Sequence, residues 1–237
     1  MTTVLSYGGG VNSTAILALC KLGELPWPDY IVFSDTGAEW SYTYSYLDYI
    51  DRELEKEGQF ITYLTGGNKD MTLIEFCEIK RFIPSRMNRW CTDYWKKVPV
   101  NRFAKAVGST EEWIGIDHGE AHRAEGKYKG KVFPLIEKEM DRHKCISAIK
   151  SVGWGIPQKS GCFICPYQKK RQWIDLKKKY PDLFTIAENL EKNCMKQYEK
   201  MSYYEDMTIR EFVADLDKQE ELSFGDVLDQ KCECYFD

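Results

Sequence analysis

Long hydrophobic runs are missing from this 237-residue sequence, and none approaches the roughly 18 residues that a membrane-spanning helix needs. Internal repeats and low-complexity tracts are also lacking, so collagen-like and coiled-coil proteins are excluded. Hydrophobic residues make up 43% of the chain and aromatic residues 14%, whereas disordered chains are poor in both. We therefore expect a soluble, cytoplasmic globular protein with no membrane partner.

An excess of charge of one sign is absent as well, because 33 Lys and Arg residues are balanced by 37 Asp and Glu residues. The net charge of -4 gives no global basic field of the kind that favours nucleic-acid binding. The charges are nevertheless unevenly placed. Residues 121–180 carry 15 basic and 5 acidic residues, and residues 205–237 carry 3 basic and 11 acidic ones. The basic middle of the chain can form a local surface for anions.

Histidine is scarce, whereas cysteine is not. The chain has three histidines, and His118 and His122 have no third ligand at metal-binding spacing. Cysteine occurs nine times, an odd number in a chain too long to depend on disulfide bonds for stability. The cysteines therefore indicate metal ligation or thiol chemistry rather than a secreted disulfide framework.

The hydrophobic pattern predicts strands that alternate with helices. Helices are expected over residues 12–22, ending at Gly23, and over 41–58. Strands are expected over residues 3–7, 30–34, 59–64 and 113–116. This alternation predicts an α/β fold, in which a parallel sheet has helices on both faces and ligands bind at the carboxyl ends of the strands. After about residue 124 the pattern changes to loops and helices. We therefore predict an α/β domain over 1–124 and a mainly helical, cysteine-containing region over 125–237 that packs on it.

The segment Gly8–Thr14 has the composition of a phosphate-binding loop. A glycine-rich loop between a strand and a helix lets backbone N–H groups approach a phosphate, and the helix N-terminus adds about half a positive charge. The segment is neither a Walker loop nor a GxGxxG dinucleotide motif. A tight turn with Asn12 or Ser13 as the helix N-cap is the alternative for this segment.

Four segments match, in order, the motifs of one known family. Gly8–Thr14 is similar to an SGGxDS/T pyrophosphate loop, and residues 35–39 are similar to a DTG-type motif after the second strand. Residues 89–100 resemble a C-x-x-x-K-x-x-P region, and residues 114–123 resemble a GI-x-x-x-E-x-x-R segment. Together they resemble the phosphoadenosine phosphosulfate (PAPS) reductase branch of the PP-loop ATP pyrophosphatases, over about residues 4–170. The cysteine layout is similar to that of small, often phage-borne members.

The resemblance implies an adenine nucleotide α-hydrolase-like sandwich that binds ATP or a related adenylate across the strand ends. Lys97 and Arg123 would be catalytic cations at the phosphate or sulfate end, and Asp35 would lie near the nucleotide or its Mg²⁺. The nucleotide-binding residues that the resemblance implies are Gly8, Gly9, Gly10, Asn12, Ser13, Thr14, Asp35, Thr36, Gly37 and Glu120. Two positions depart from the family pattern, since Gly8 stands where Ser is usual and Asn12 where ATP-hydrolysing members have Asp. The second change removes a carboxylate that could help to hold Mg²⁺.

Cys162 and Cys165 form a CxxC pair, a spacing used by zinc sites, iron-sulfur clusters and redox pairs. Cys91 stands where the cluster-bearing reductases of the family carry cysteine, so the resemblance implies a 4Fe-4S cluster. We take Cys145 as the fourth ligand, with Cys234 or Cys232 as the second choice. Structural zinc is the alternative, because four thiolates satisfy either metal.

Two segments carry further hypotheses. Cys234 faintly resembles the mobile C-terminal cysteine with which the reductases attack substrate sulfur, and it is a catalytic candidate, although the acidic tail disfavours a thiolate. Residues 169–179 place six cations around Trp173. They form either a solvated helix face with Trp173 in the core or a surface for a nucleic-acid backbone.

The predicted function is that of a PAPS-reductase-like, iron-sulfur-dependent enzyme of sulfur metabolism. In the first hypothesis ATP adenylates an acceptor oxygen, pyrophosphate leaves, and sulfur then displaces AMP, as in nucleic-acid thiolation. In the second, adenylyl sulfate or PAPS is reduced to sulfite by a thiol. A third hypothesis is a non-catalytic, zinc-stabilised nucleotide-binding module. A sulfur or electron donor protein is an expected partner, and a homodimer is left open.

Overall fold

The computed structural model describes residues 1–67, 70–86, 89–126, 130–199, 201–204 and 207–220. These residues form a five-stranded sheet with the strand order β3-β2-β1-β4-β5, and every neighbouring pair is parallel. The strands are β1 (Thr3–Ser6), β2 (Tyr30–Ser34), β3 (Ile61–Leu64), β4 (Glu111–Ile114) and β5 (Lys131–Val132). The α/β class with a parallel sheet is therefore confirmed.

The strand predictions differ from the structure mainly at β4 and β5. The second strand coincides with the predicted range, whereas β4 begins and ends two residues earlier than expected. Gly115 and Ile116 consequently belong to the loop at the carboxyl end of β4. The fifth strand was not predicted, because two residues are too few to show an alternating pattern.

The helices connect the strands and extend the chain beyond the sheet. They are α1 (Val11–Lys21), α2 (Ser41–Glu55), α3 (Leu73–Lys80), α4 (Trp90–Thr92), α5 (Val98–Ala106), α6 (Pro134–Glu137), α7 (Arg142–Ser151), α8 (Lys170–Lys179), α9 (Pro181–Met195) and α10 (Ile209–Glu220). A π-helical turn, Asp93–Lys97, joins α4 to α5, and a 3₁₀ helix spans His118–Ala124. Within the ranges given above, no helix is both long and apolar enough to cross a membrane.

The sheet has helices on both faces, as the strand periodicity predicts. Leu5 and Ile31 of neighbouring strands belong to a first core, which they share with α1, α2 and α7. Val4 and Val32 point to the opposite face, where they pack with Val100 of α5. Successive residues of a strand point to opposite faces, so adjacent positions supply both layers.

A second hydrophobic core joins α3 and the π-helical turn with α8, α9 and α10. Leu73 and Trp95 contribute to this core from the first half of the chain, and Trp173 from the second half. The first core likewise combines α1 with Cys145 of α7. Both cores therefore contain residues from both sides of position 124.

Candidate active site

The loop Gly8–Thr14 follows β1 and ends in the first turn of α1, which begins directly after Gly10. Gly10 has no side chain to cap the helix, and the Gly8 N–H and the Gly10 carbonyl both bond the Ser13 hydroxyl at 3.3 Å. The N-terminus of α1 therefore lies at this loop, without a side-chain cap. This is the arrangement that binds phosphate groups in many proteins.

The loop can lie close to the end of β4 because Gly115 has no side chain. A Cβ atom at this position would lie 2.7 Å from the Ser13 backbone nitrogen, which is far too close. Only glycine therefore permits the end of β4 to approach the start of α1 in this way. The close approach forms one wall of a cavity.

A cavity of about 120 Å³ opens at the carboxyl ends of β1, β2 and β4. Its apolar lining includes Phe33, Val100 and Ile114, and its cationic lining comprises Lys96, Arg123, Arg142 and Lys159. The predicted nucleotide-binding residues that line this nucleotide cavity are Gly8, Gly10, Asn12, Ser13 and Glu120. A ligand with an apolar ring and an anionic tail would match such a lining.

The remaining loop residues shape the nucleotide cavity from behind. Gly9 has a φ of +67° and packs beneath Leu47. Thr14 is fully buried, and its hydroxyl is 3.2 Å from the Tyr7 hydroxyl. Gly9 and Thr14 do not line the nucleotide cavity, and their contact with the nucleotide stays a prediction.

The DTG-type motif does not line the nucleotide cavity. The Asp35 carboxylate accepts hydrogen bonds from the Gly37 N–H at 2.8 Å and from the Tyr44 hydroxyl at 2.7 Å. Burial and this carboxylate together raise the pKa of Tyr44. Thr36 faces the cysteines instead, and Gly37, with a φ of +68°, packs closely on Thr72. Asp35, Thr36 and Gly37 do not line the nucleotide cavity, and their binding of the nucleotide stays a prediction.

In the C-x-x-x-K-x-x-P region, Lys96 lines the nucleotide cavity and Lys97, the predicted catalytic cation, does not. Lys97 forms an ion pair with Asp93 at 3.2 Å on the outer side of the π-helical turn, whereas Lys96 lines the nucleotide cavity. Lys96 also satisfies the spacing K-x-x-P to Pro99. The segment has one residue more between Cys91 and this lysine than the motif allows, and a π-helical turn accommodates such an insertion.

Two arginines line the nucleotide cavity. Arg123 donates to the Glu120 carboxylate at 2.9 Å, as a pair on one face of the 3₁₀ helix. Arg142, at the start of α7, donates to the side-chain oxygen of Asn12 at 3.4 Å. The motifs do not cover Arg142, so its presence here could be found only from the packing of α7 against α1.

Three cysteines line a second cavity, the cysteine cavity. Cys91 of α4 and the CxxC pair Cys162 and Cys165 share it with Thr36 and Lys96. Lys96 therefore lines both cavities. Residues 159–166 also reach both, because Lys159 and Ser160 line the nucleotide cavity and the CxxC pair lines the cysteine cavity.

Cys162 is tied to Glu39 by its side chain and its backbone. Its thiol lies 3.5 Å from Glu39 Oε1 and 3.3 Å from the Thr36 hydroxyl. The backbones of Glu39 and Cys162 form an isolated antiparallel bridge. Burial raises the pKa of Cys162, Glu39 raises it further, and Lys96 lowers it. Lys96 and Glu39 form an ion pair at 3.3 Å, and Glu39 is 4% exposed.

Cys145 is not brought to the other three cysteines. It is fully buried in the first core on α7, where Asp117 and Arg142 are its charged neighbours. Cys145 does not line the cysteine cavity, and its role as the fourth ligand stays a prediction. Cys232 and Cys234 lie outside the described residues.

The donor type of the cysteine cavity fits an iron-sulfur cluster, since thiolates are the usual ligands of such clusters. Three cysteines from two separate segments, Cys91 and the CxxC pair, face the same space. Among the described residues, no three His, Cys, Asp or Glu side chains are arranged to hold a single metal ion.

The basic segment that follows the CxxC pair forms α8. Trp173 is fully buried in the second core, whereas Lys169, Lys170, Arg171 and Lys178 are exposed. Lys179 is paired with Asp175 at 2.8 Å. The helix therefore has an aromatic core side and a basic outer side, as both hypotheses for this segment require.

The chain is similar in sequence to two uncharacterised proteins. No protein-family model matches the chain. It is 25% identical over 214 residues to an uncharacterised protein of Methanocaldococcus jannaschii, covering 79% of this chain and 41% of that protein. A second uncharacterised protein of the same organism is 24% identical over 199 residues, and the match covers 76% of this chain and 45% of that protein. The chain thus spans less than half the length of these curated relatives.

Two solved structures have similar folds. The phosphoadenylyl-sulfate (PAPS) reductase of Candida auris, in a phosphate complex, has a TM-score of 0.51 at 16% identity and covers 68% of this chain and 81% of its own. The U34-tRNA thiolase NcsA of Methanococcus maripaludis, with its 4Fe-4S cluster, has a TM-score of 0.51 at 15% identity. The match covers 99% of this chain and 80% of the thiolase chain.

The sheet order, its helical layers and the loop at the start of α1 define an adenine nucleotide α-hydrolase-like fold. Within this class the chain has the PAPS reductase-like, PP-loop form of the fold, which the four sequence motifs predicted.

Proposed function

We propose that this chain is a nucleotide-dependent enzyme of sulfur metabolism, which activates an acceptor with ATP and then transfers sulfur to it. The contiguity of the two cavities is the observation that carries the proposal. Lys96 lines both cavities, and residues 159–166 contribute to each. An adenylate in one cavity and thiol-based chemistry in the other would act on the same substrate.

In the nucleotide cavity, the phosphates would lie on the backbone N–H groups at the start of α1. The acceptor oxygen would attack the α-phosphorus, forming a new P–O bond while the bond to the β-phosphate oxygen breaks. Pyrophosphate would leave with that electron pair. The loop N–H groups, Arg123 and Arg142 would stabilise the negative charge that develops on it. Mg²⁺ is proposed as the ion that accompanies the leaving pyrophosphate.

In the second step, a sulfur nucleophile would form a bond to the activated carbon of the acceptor while the carbon-oxygen bond to AMP breaks. The sulfur would come from a donor protein. A 4Fe-4S cluster held by Cys91, Cys162 and Cys165 would supply the sulfur-handling chemistry at this point. Glu39 and Thr36 would orient Cys162, because both contact its thiol. The cluster in NcsA, which shares the fold, supports this assignment.

The proposed acceptor is a nucleic acid. The exposed cations of α8, including Lys169, Lys170 and Arg171, follow the CxxC pair within a few residues and would contact phosphate groups of the acceptor. That a structural neighbour is a tRNA thiolase supports this acceptor class.

Reduction of an adenylyl sulfate to sulfite is the second candidate. It is favoured by Asn12, a neutral residue where a carboxylate would help to hold Mg²⁺ for ATP. In this reaction a thiolate would attack the sulfur atom and release the adenylate, and a second thiol from the electron donor would then release sulfite as a disulfide forms. Measured with Mg²⁺, pyrophosphate release from ATP and sulfite release from adenylyl sulfate separate the two candidates.

The cofactor assignment is tested by iron, zinc and acid-labile sulfide analysis of protein purified without oxygen. We expect iron and sulfide in near-equal amounts, with loss of both in Cys162→Ala and Cys165→Ala. Cys145→Ala is the matched control, and it should retain the cluster because Cys145 lies in the first core. Zinc alone, or iron retained in both CxxC variants, would contradict the assignment.

A further inference from the structure

Asn12 bonds two charged residues that the sequence motifs do not connect with it. Its amide nitrogen donates to the Asp117 carboxylate at 3.2 Å, and its side-chain oxygen accepts from Arg142 at 3.4 Å. Asn12 is 9% exposed and Asp117 is 5% exposed, so the amide is held in one orientation. A neutral side chain at this position therefore brings a guanidinium to the phosphate-binding loop.

The charge of Arg142 is not balanced by a carboxylate contact in the part of the chain that the structure describes. Its hydrogen bond to Asn12 occupies one of the five N–H donors of a guanidinium. Arg123, in contrast, is bonded to Glu120 at 2.9 Å. An aspartate at position 12 would form an ion pair with Arg142 and occupy its planar fork. With asparagine there, the fork can bind two oxygens of a phosphate group.

The carboxylates at this end of the nucleotide cavity are already bonded to protein donors. One oxygen of Asp117 accepts from Asn12, and the other accepts from the Glu120 N–H at 3.1 Å. The Glu120 carboxylate accepts from Arg123. Mg²⁺ at a nucleotide site is usually held by one or two carboxylates together with substrate phosphates and water, in near-octahedral geometry. This group of residues is arranged for an anion rather than for a metal ion.

We propose that Arg142 is a phosphate-binding residue of the nucleotide cavity, positioned by Asn12, and that it allows the nucleotide phosphates to bind there without Mg²⁺. The proposal rests on the proposed function in one respect, namely that an adenine nucleotide occupies the cavity. It concerns binding only, and Mg²⁺ can still be required for pyrophosphate release.

Calorimetric titration of the full chain with ATP and with adenosine, each with Mg²⁺ or with EDTA, tests the proposal. Wild-type protein should bind ATP with affinities that differ by less than about threefold between the two conditions. Arg142→Gln should weaken ATP binding at least about tenfold, since a hydrogen bond to a charged group is lost, and should leave adenosine binding unchanged. Arg142→Lys should recover part of the affinity because the charge remains but the fork does not.

Two further variants complete the test. Asn12→Asp should lose ATP affinity in EDTA and recover it with Mg²⁺, because the new carboxylate pairs with Arg142 and supplies a metal ligand. Lys150→Gln is the matched control, since it removes an exposed cation from the other end of α7. Arg142→Gln that binds ATP like wild type, with an unchanged melting curve, overturns the role of Arg142 alone. Wild-type protein that binds neither ATP nor adenylyl sulfate overturns the proposed function as well.

Discussion

Lys96 occupies a special position among the charged residues, because its ammonium group lies between the nucleotide cavity and the cysteine cavity. Its carboxylate partner, Glu39, is almost fully buried and also contacts Cys162. A buried ion pair of this kind is costly to break, because the remaining charge has no water to solvate it. The pair therefore holds the ammonium at the border of the two cavities.

Replacing Lys96 with Gln should lower ATP-dependent turnover at least about tenfold, because a cation next to the phosphates is lost. Lys97→Gln should change turnover by less than about twofold, since Lys97 pairs with Asp93 on the surface. Pyrophosphate release is the measurement, and a thermal melt of each variant checks that the chain still folds. Equal losses of turnover in the two variants would contradict the placement of Lys96, rather than Lys97, at the nucleotide cavity.

The junction of α9 and α10 depends on a single buried carboxyl group. Glu191, which is 2% exposed, accepts hydrogen bonds from the N–H groups of Tyr203 and Ile209, the second of which begins α10. The pKa of Glu191 is raised from its ordinary value of 4.5 to about 7, because burial and, to a lesser degree, nearby Glu188 and Glu211 outweigh the lowering effect of the hydrogen bonds from the two N–H groups. Below about pH 7, the folded protein therefore favours the protonated form of Glu191.

The pH dependence of stability follows from this raised pKa. The folded state binds the Glu191 proton more tightly than the unfolded state, so this group should lower the free energy of unfolding as pH rises from about 4.5 to 7, by about 3 kcal/mol. Above pH 7 its effect should level off. Glu191→Gln keeps an acceptor oxygen without the charge, and should remove that part of the pH dependence. Urea unfolding at pH 5 and pH 7.5 measures both proteins, and the same slope in each would contradict the prediction.

At the scale of the whole molecule, the two hydrophobic cores each combine residues from both sides of position 124. The first core needs α7 to cover α1, and β5 completes the edge of the sheet beside β4. A chain of residues 1–124 would expose the buried face of α1 to water.

We therefore predict that a chain of residues 1–124 does not fold by itself. Its circular dichroism should show no cooperative thermal transition, whereas the full chain should show one. The control is the full chain at the same concentration and pH. A cooperative transition in the shorter chain would show that the α/β part is an independent domain.

The sequence predicted the fold more completely than the site. The strands β1 to β3 and the loop Gly8–Thr14 follow from local patterns of apolar residues and glycine. Lys96 was missed in favour of Lys97, because motif spacing does not reveal a π-helical turn. The sequence patterns also did not indicate that Arg142 reaches the loop or that Cys145 lies in the first core, because tertiary packing decides which face of α7 meets the loop.

The backbone bridge between Glu39 and Cys162 has a consequence for how such a site can change over evolution. The Trp40 N–H bonds the Gly161 carbonyl at 3.1 Å, and the Phe163 N–H bonds the Ala38 carbonyl at 2.8 Å. These main-chain bonds do not depend on the identity of the side chain at position 162. A lineage could therefore exchange the cysteines for other residues while the loop keeps its place beside the nucleotide cavity. One scaffold can in this way gain or lose metal chemistry without rebuilding its nucleotide site.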